Sequence, residues 1–241
     1  MRLPLGVRQR HEQLEHAPSG TGVLLRQLIL GGQDGLVNVL GVLLGVAAGT
    51  ANTSIVIIAG VAAAFAESIS MAAVAYTSAR ASQDHYNSQL EQEKREINEV
   101  PDVERMEIQL IYYKKGFRGK ALESVVDKIC SDKKLWLDTM MKEEIGLYES
   151  GSVNPKSEAI VVGVSAGVGS LLPLWPFLIF SNDLAILASF AFSIAVLALA
   201  GIIKAKMTDG VWYKAAFEMA VIGGLAAAAG YAVGTLLGIR A

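Results

Sequence analysis

Three residues in otherwise apolar sequence have the types and spacing to hold a metal cation. Asp34 lies in "LILGGQDGLVNVLGVLLGVAAG" (28–49), and Glu67 and Met71 lie in "AESISMAA" (66–73). A carboxylate in hydrocarbon costs several kcal/mol unless it has a partner or water. Glu67 and Met71 are four apart and share one helix face. Two carboxylates and one thioether suit a borderline divalent transition ion better than Mg²⁺ or Ca²⁺. Such acids also take up protons, so binding a metal means losing protons. The plainer alternative is that both acids are protonated or bonded to backbone and only hold helices together. Ser68 and Ser70 add hydroxyls to the same segment.

A second acidic group lies in the polar middle of the chain. Glu93 and Glu96 are three apart, as are Glu104 and Glu107, and Pro101 lies between the pairs. Each pair shares a helix face, and a break at Pro101 can fold the pairs together. Four carboxylates so placed repel one another unless a cation sits among them. "WLDTMMKEE" adds Met140, Met141 and Glu144, with Met140 and Glu144 on one face. Charge patterning alone favours a solvated surface for such helices, and Met140 and Met141 beside Trp136 equally suit a small core. Glu91, Glu99, Glu123 and Glu143 read as solvated. His11, His16 and His85 have no spaced partners, and Cys130, the single cysteine, excludes an internal disulfide or a Cys-based zinc site.

The elements that must position these residues follow from composition. The 241 residues are 52% hydrophobic and 18% charged, with mean hydropathy +0.41. Residues 80–158 hold 13 of the 21 Lys and Arg and 16 of the 23 Asp and Glu. The pattern is that of an all-α membrane protein with a water-soluble insert. Apolar runs of spanning length cover 24–49, 54–79, 157–180, 184–204 and 213–238. The division is therefore a segment 1–23, spans one and two in 24–79, a three-helix insert in 80–156 between the second and third spans, and spans three to five in 157–241. The first run is too long for a signal-peptide core and contains Asp34. Pro173 and Pro176 predict a kink in the third span. Lysines and arginines cluster in the N-terminal segment, the insert and the 204–214 connection, which puts these in the cytoplasm and the C-terminus outside. Counted from the cytoplasmic ends, Met71 lies level with Asp34, and Glu67 lies about 6 Å deeper. GxxxG stripes at Gly41, Gly45 and Gly49 and at Gly230, Gly234 and Gly238, with a shorter one at Gly163 and Gly167, allow close helix contact within or between subunits. No stretch reads as a nucleic-acid surface.

"QDGLVNVLGVLLGVAAG", "AESISMAAVAYTSARASQDHY", "VPDVERMEI" and "WLDTMMKEEIGLYE", in that order, resemble the vacuolar iron transporter family from about Leu24 onward. The resemblance implies a five-span homodimer that moves Fe²⁺ or a similar divalent ion out of the cytosol in exchange for protons. It places Asp34 and Met71 in the ion path, with Glu67 as a second acid, and assigns metal binding in the insert to Glu93, Glu96, Glu104, Glu107, Met140, Met141 and Glu144. Where the family reads LGLE, this chain reads "IGLYE", which displaces Glu149. The short N-terminal segment carries no evident organelle-sorting signal and points to a prokaryotic plasma membrane rather than a vacuole. The ion is transported, not held as a tight cofactor, and Mn²⁺, Co²⁺ and Zn²⁺ fit the same ligands. Two rivals remain: a carboxylate-bridged ferroxidase, which ordinarily uses Glu-x-x-His motifs that these pairs lack, and a metal sensor without transport.

Overall fold

The computed structural model describes residues 20–50, 52–147 and 154–238. His11, His16, Glu149 and Arg240, with most of the N-terminal segment, lie outside them. The described residues are helical without strands. In chain order the helices are α1 (Gly20–Gly49), α2 (Thr53–Glu99), α3 (Pro101–Lys114), α4 (Gly119–Cys130), α5 (Lys133–Thr139), α6 (Pro155–Leu171), α7 (Asn182–Met207) and α8 (Trp212–Leu237). A π-helical turn at Met140–Glu144 follows α5, and a 3₁₀ segment at Leu172–Leu178 follows α6. Five of these, counting α6 with its 3₁₀ extension, are long and apolar enough to cross a membrane. The chain forms two compact units, Met1–Tyr76 with Lys156–Ala241, and Thr77–Pro155.

The first unit owes its packing to residues without side chains. Between helices in lipid there is little hydrophobic drive, so association relies on close backbone approach at small residues. The glycine stripes of α1 and α8 face one another inside the chain. A Cβ added at Gly234 would lie 1.9 Å from the Gly45 carbonyl oxygen, and one at Gly230 would lie 2.0 Å from that of Gly41. The α1–α6 contact is equally tight, because a Cβ at Gly169 would lie 2.1 Å from the Gly32 carbonyl. Leu36, Val39, Leu40 and Leu43 of α1 are fully buried in the middle of this unit.

The third span changes from α to 3₁₀ geometry at its prolines. Pro176 has no N–H to give the Pro173 carbonyl in the 3₁₀ pattern. Ser189 of α7 replaces it, its Oγ donating to that carbonyl at 2.7 Å. Polar side chains and neighbouring helices are how spans tolerate such breaks.

The second unit departs from a three-helix insert. α2 runs unbroken from Thr53 to Glu99, so no helix end falls at residue 79. A further helix, α4, occupies Gly119–Cys130, and α5 begins anew where the Asp132 side chain accepts from the Lys134 and Leu135 N–H groups. Pro101 opens α3, as its preference for a first helical position dictates. Ile97, Ile108, Leu122, Val126, Ile129, Trp136 and Met140 form the unit's hydrophobic core.

Replacing Gly234 by Ala forces α1 and α8 apart and is expected to cost about 1–3 kcal/mol. Gly224→Ala, at a position with no atom within 4 Å, serves as control. Thermal unfolding in detergent should show a lowered midpoint for the first variant and none for the second.

Candidate functional site

In the first unit the acids meet directly. The Glu67 carboxyl neighbours the side chains of both Asp34 and Asn38. Asn38 offers it an amide donor. Asp34 and Glu67 are both partly shielded. Glu67 as well as Met71 therefore lies on the part of α2 that meets α1 at Asp34. Met71, partly shielded, lies one turn along α2 from Glu67.

Asn38 was not legible as a site residue because an amide inside a span has many bland explanations. Its position four residues after Asp34, on the same face, is the signal that points to it. Ser68 belongs elsewhere: its Oγ donates to the Gly163 carbonyl at 2.8 Å, joining α2 to α6. Ser70 is exposed.

In the second unit the turn at Val100 folds α3 back along the end of α2. The pair Glu93 and Glu96 is thereby set against Glu104 and Glu107, and the π-helical turn brings in Glu144. Glu93 and Glu104 are 5% and 3% exposed, and one carboxyl oxygen of each is buried with no hydrogen-bond partner among the described residues. Burial first, then the carboxylates of Glu144, Glu96 and Glu107, pushes the Glu93 carboxyl up to about 7. Burial and the charges of Glu107, Glu93, Glu96 and Glu144 do the same to Glu104, also to about 7. Glu144 is raised by burial and by Glu107 and Glu96. Gln92 donates to Glu96 at 3.1 Å, and Lys115 holds Glu143 at 2.5 Å, outside the acidic set.

Five carboxyls from three segments therefore share one partly buried neighbourhood. Among the described residues no three His, Cys, Asp or Glu side chains are already drawn into a set that could hold a metal ion. The orphaned oxygens of Glu93 and Glu104 nonetheless fit a hard or borderline cation, which would supply the missing partner and cancel the repulsion. Met140 is fully buried within the hydrophobic core, and Met141, 2% exposed, is buried beside it but outside that cluster. The π-helical turn, in which the Ile145 N–H reaches the Met140 carbonyl at 3.2 Å, sets both methionines inward. Such turns often mark functional positions.

A family model described as "VIT family" matches residues 25–235. Vacuolar iron transporter 2 of Oryza sativa subsp. japonica is 34% identical over 211 residues, covering 87% of this chain and 86% of that protein. Vacuolar iron transporter 1 of the same organism is 33% identical over 222 residues, covering 92% and 87%. The vacuolar iron transporter of Toxoplasma gondii (strain ATCC 50861 / VEG) is 30% identical over 223 residues, covering 88% and 74%. None of these three is named as an oxidase or a sensor.

The raised carboxyls make stability depend on pH with a definite sign. Their folded pKa values of about 7 exceed the ordinary 4.5, so their contribution is fully present below about pH 4.5 and is lost as pH rises through 7. Each group taken alone loses on the order of 3 kcal/mol. Denaturant unfolding of the full chain in detergent with chelator, followed by Trp136 fluorescence in a Trp175→Phe/Trp212→Phe background, should show a midpoint that falls from pH 5 to pH 8. Glu104→Gln should flatten that slope.

Proposed function

Given that the chain belongs to the VIT family, we propose that it carries Fe²⁺, or Mn²⁺, Co²⁺ or Zn²⁺, out of the cytosol in exchange for protons. The observation that supports this most is the Asp34–Glu67 contact between two apolar helices, completed by Asn38. A shared proton satisfies that pair, and a divalent cation satisfies it equally well by taking the proton's place. That substitution is the exchange step: entry of the ion expels a proton, and reprotonation from the far side releases the ion.

In this reading the insert captures ions through Glu93, Glu96, Glu104, Glu107 and Glu144, with the thioethers of Met140 and Met141 as softer donors. Asp34 and Glu67 then carry the ion through the membrane with Met71, the thioether favouring transition ions over Mg²⁺ and Ca²⁺. Asn38 orients the Glu67 carboxyl. The insert faces the cytoplasm, as the loop lysines indicate, so the direction is out of the cytosol. Two copies form the working transporter. The glycine stripes of α1 and α8 are already used within each copy, which leaves their contact to other faces of the spans.

Proteoliposomes with an imposed pH gradient and external Fe²⁺ test this. The parent should move Fe²⁺ against protons, Asp34→Ala and Glu67→Gln should reduce the flux to background, and Asn38→Leu should slow it roughly tenfold, the worth of a hydrogen bond to a charged group. Flux through Asp34→Ala at the parent rate would remove the acid pair from the pathway.

A further inference from the structure

The second unit also carries "YYKKGFRGK", Tyr112–Lys120, with four cations and no acid. Its conformation is fixed. Gly116, at φ +100°, ends α3, its N–H bonding to the Tyr113 carbonyl at 3.0 Å while the Phe117 N–H reaches the Tyr112 carbonyl at 3.1 Å. The Tyr112 and Phe117 rings meet edge-on at 5.7 Å, the apolar contact that accompanies this type of helix ending. The Arg118 guanidinium lies over the Tyr113 ring, 3.6 Å from its centre. It also donates to the Tyr113 and Phe117 carbonyls at 2.5 and 2.7 Å.

Tyr113 and Phe117 remain 48% and 37% exposed, and Lys114, Arg118 and Lys120 are exposed beside them. Lys115 is paired with Glu143. Among the described residues Lys114, Arg118 and Lys120 have no acidic partner at ion-pair distance. A pre-shaped turn thus presents uncompensated cations around two half-bare aromatic rings.

We propose that this turn is a docking surface for the anionic headgroups of the bilayer in which the chain sits. Polybasic segments next to spans are drawn to anionic lipid, and Tyr and other aromatic rings favour the headgroup level, where one side is apolar and the other wet. A chain with five spans is never far from a lipid surface, which raises the effective concentration of the headgroup over that of any soluble acidic partner. The inference stands independently of what the protein transports.

Hydrogen exchange of the full chain in nanodiscs of phosphatidylcholine, with and without phosphatidylglycerol, tests it. The segment 112–120 should exchange at least about tenfold more slowly in the anionic discs, given the attraction of each cation to an anionic surface. Molar salt, or Lys114→Gln/Lys120→Gln, should abolish the difference, while amides around Ile108 and Val126 stay unchanged. This double variant leaves Arg118 and its carbonyl contacts in place, so the turn itself persists. Equal exchange in both discs, or protection that survives the double variant, overturns the proposal and points to a protein segment or a second copy as the occupant.

Discussion

A carboxyl held away from bulk water must have a proton, a donor or a cation against it. That requirement governs both acidic clusters of this molecule. Between α1 and α2, Asp34 and Glu67 neighbour one another with the Asn38 amide beside them. Around the Val100 turn, Glu93 and Glu104 each have a buried oxygen with no hydrogen-bond partner among the described residues. In both places helices surround carboxyls and bring them close to one another.

The backbone contacts explain how such a cluster keeps its shape in a medium that does not drive helices together. Gly31 and Gly35 bracket Asp34, and each lies so close to α6 that a Cβ would fall within 2.4 Å of a carbonyl oxygen there. With one face of α1 seated against α6 and another against α8, the remaining face carrying Asp34 and Asn38 has a fixed direction. Rotation of α1 would have to break contacts made by main chain, which cannot swing aside as side chains do. The acids are aimed by glycines.

Much of this was legible in the sequence, and what was not has identifiable causes. Hydrophobic runs, proline positions and the i, i+3 glutamate pairs are strong signals because each reflects a local constraint. Asp34 and Glu67 stood out because ionisable residues in spans are costly. The continuity of α2 was hidden because hydropathy marks where apolar sequence stops, and a helix does not stop with it. Helix α4 was hidden behind the glycines on one side and Ser131 and Asp132 on the other. Met140 and Met141 are neighbours in sequence with different surroundings, and only the π-helical turn, a tertiary feature, distinguishes them. The hydroxyl of Ser68 read as part of the acidic crevice, whereas it serves a carbonyl on α6.

The hydrogen bond from Ser189 to Pro173 ties together positions that no sequence pattern associates. The serine is useful only because residue 176 is a proline, and the proline is tolerable only because residue 189 is a serine. An ancestor that lost the hydroxyl first would have left a bare carbonyl inside the bundle, whereas one that lost the ring first would have given that carbonyl, with its two lone pairs, a second donor. Related chains that keep the proline should therefore keep the serine.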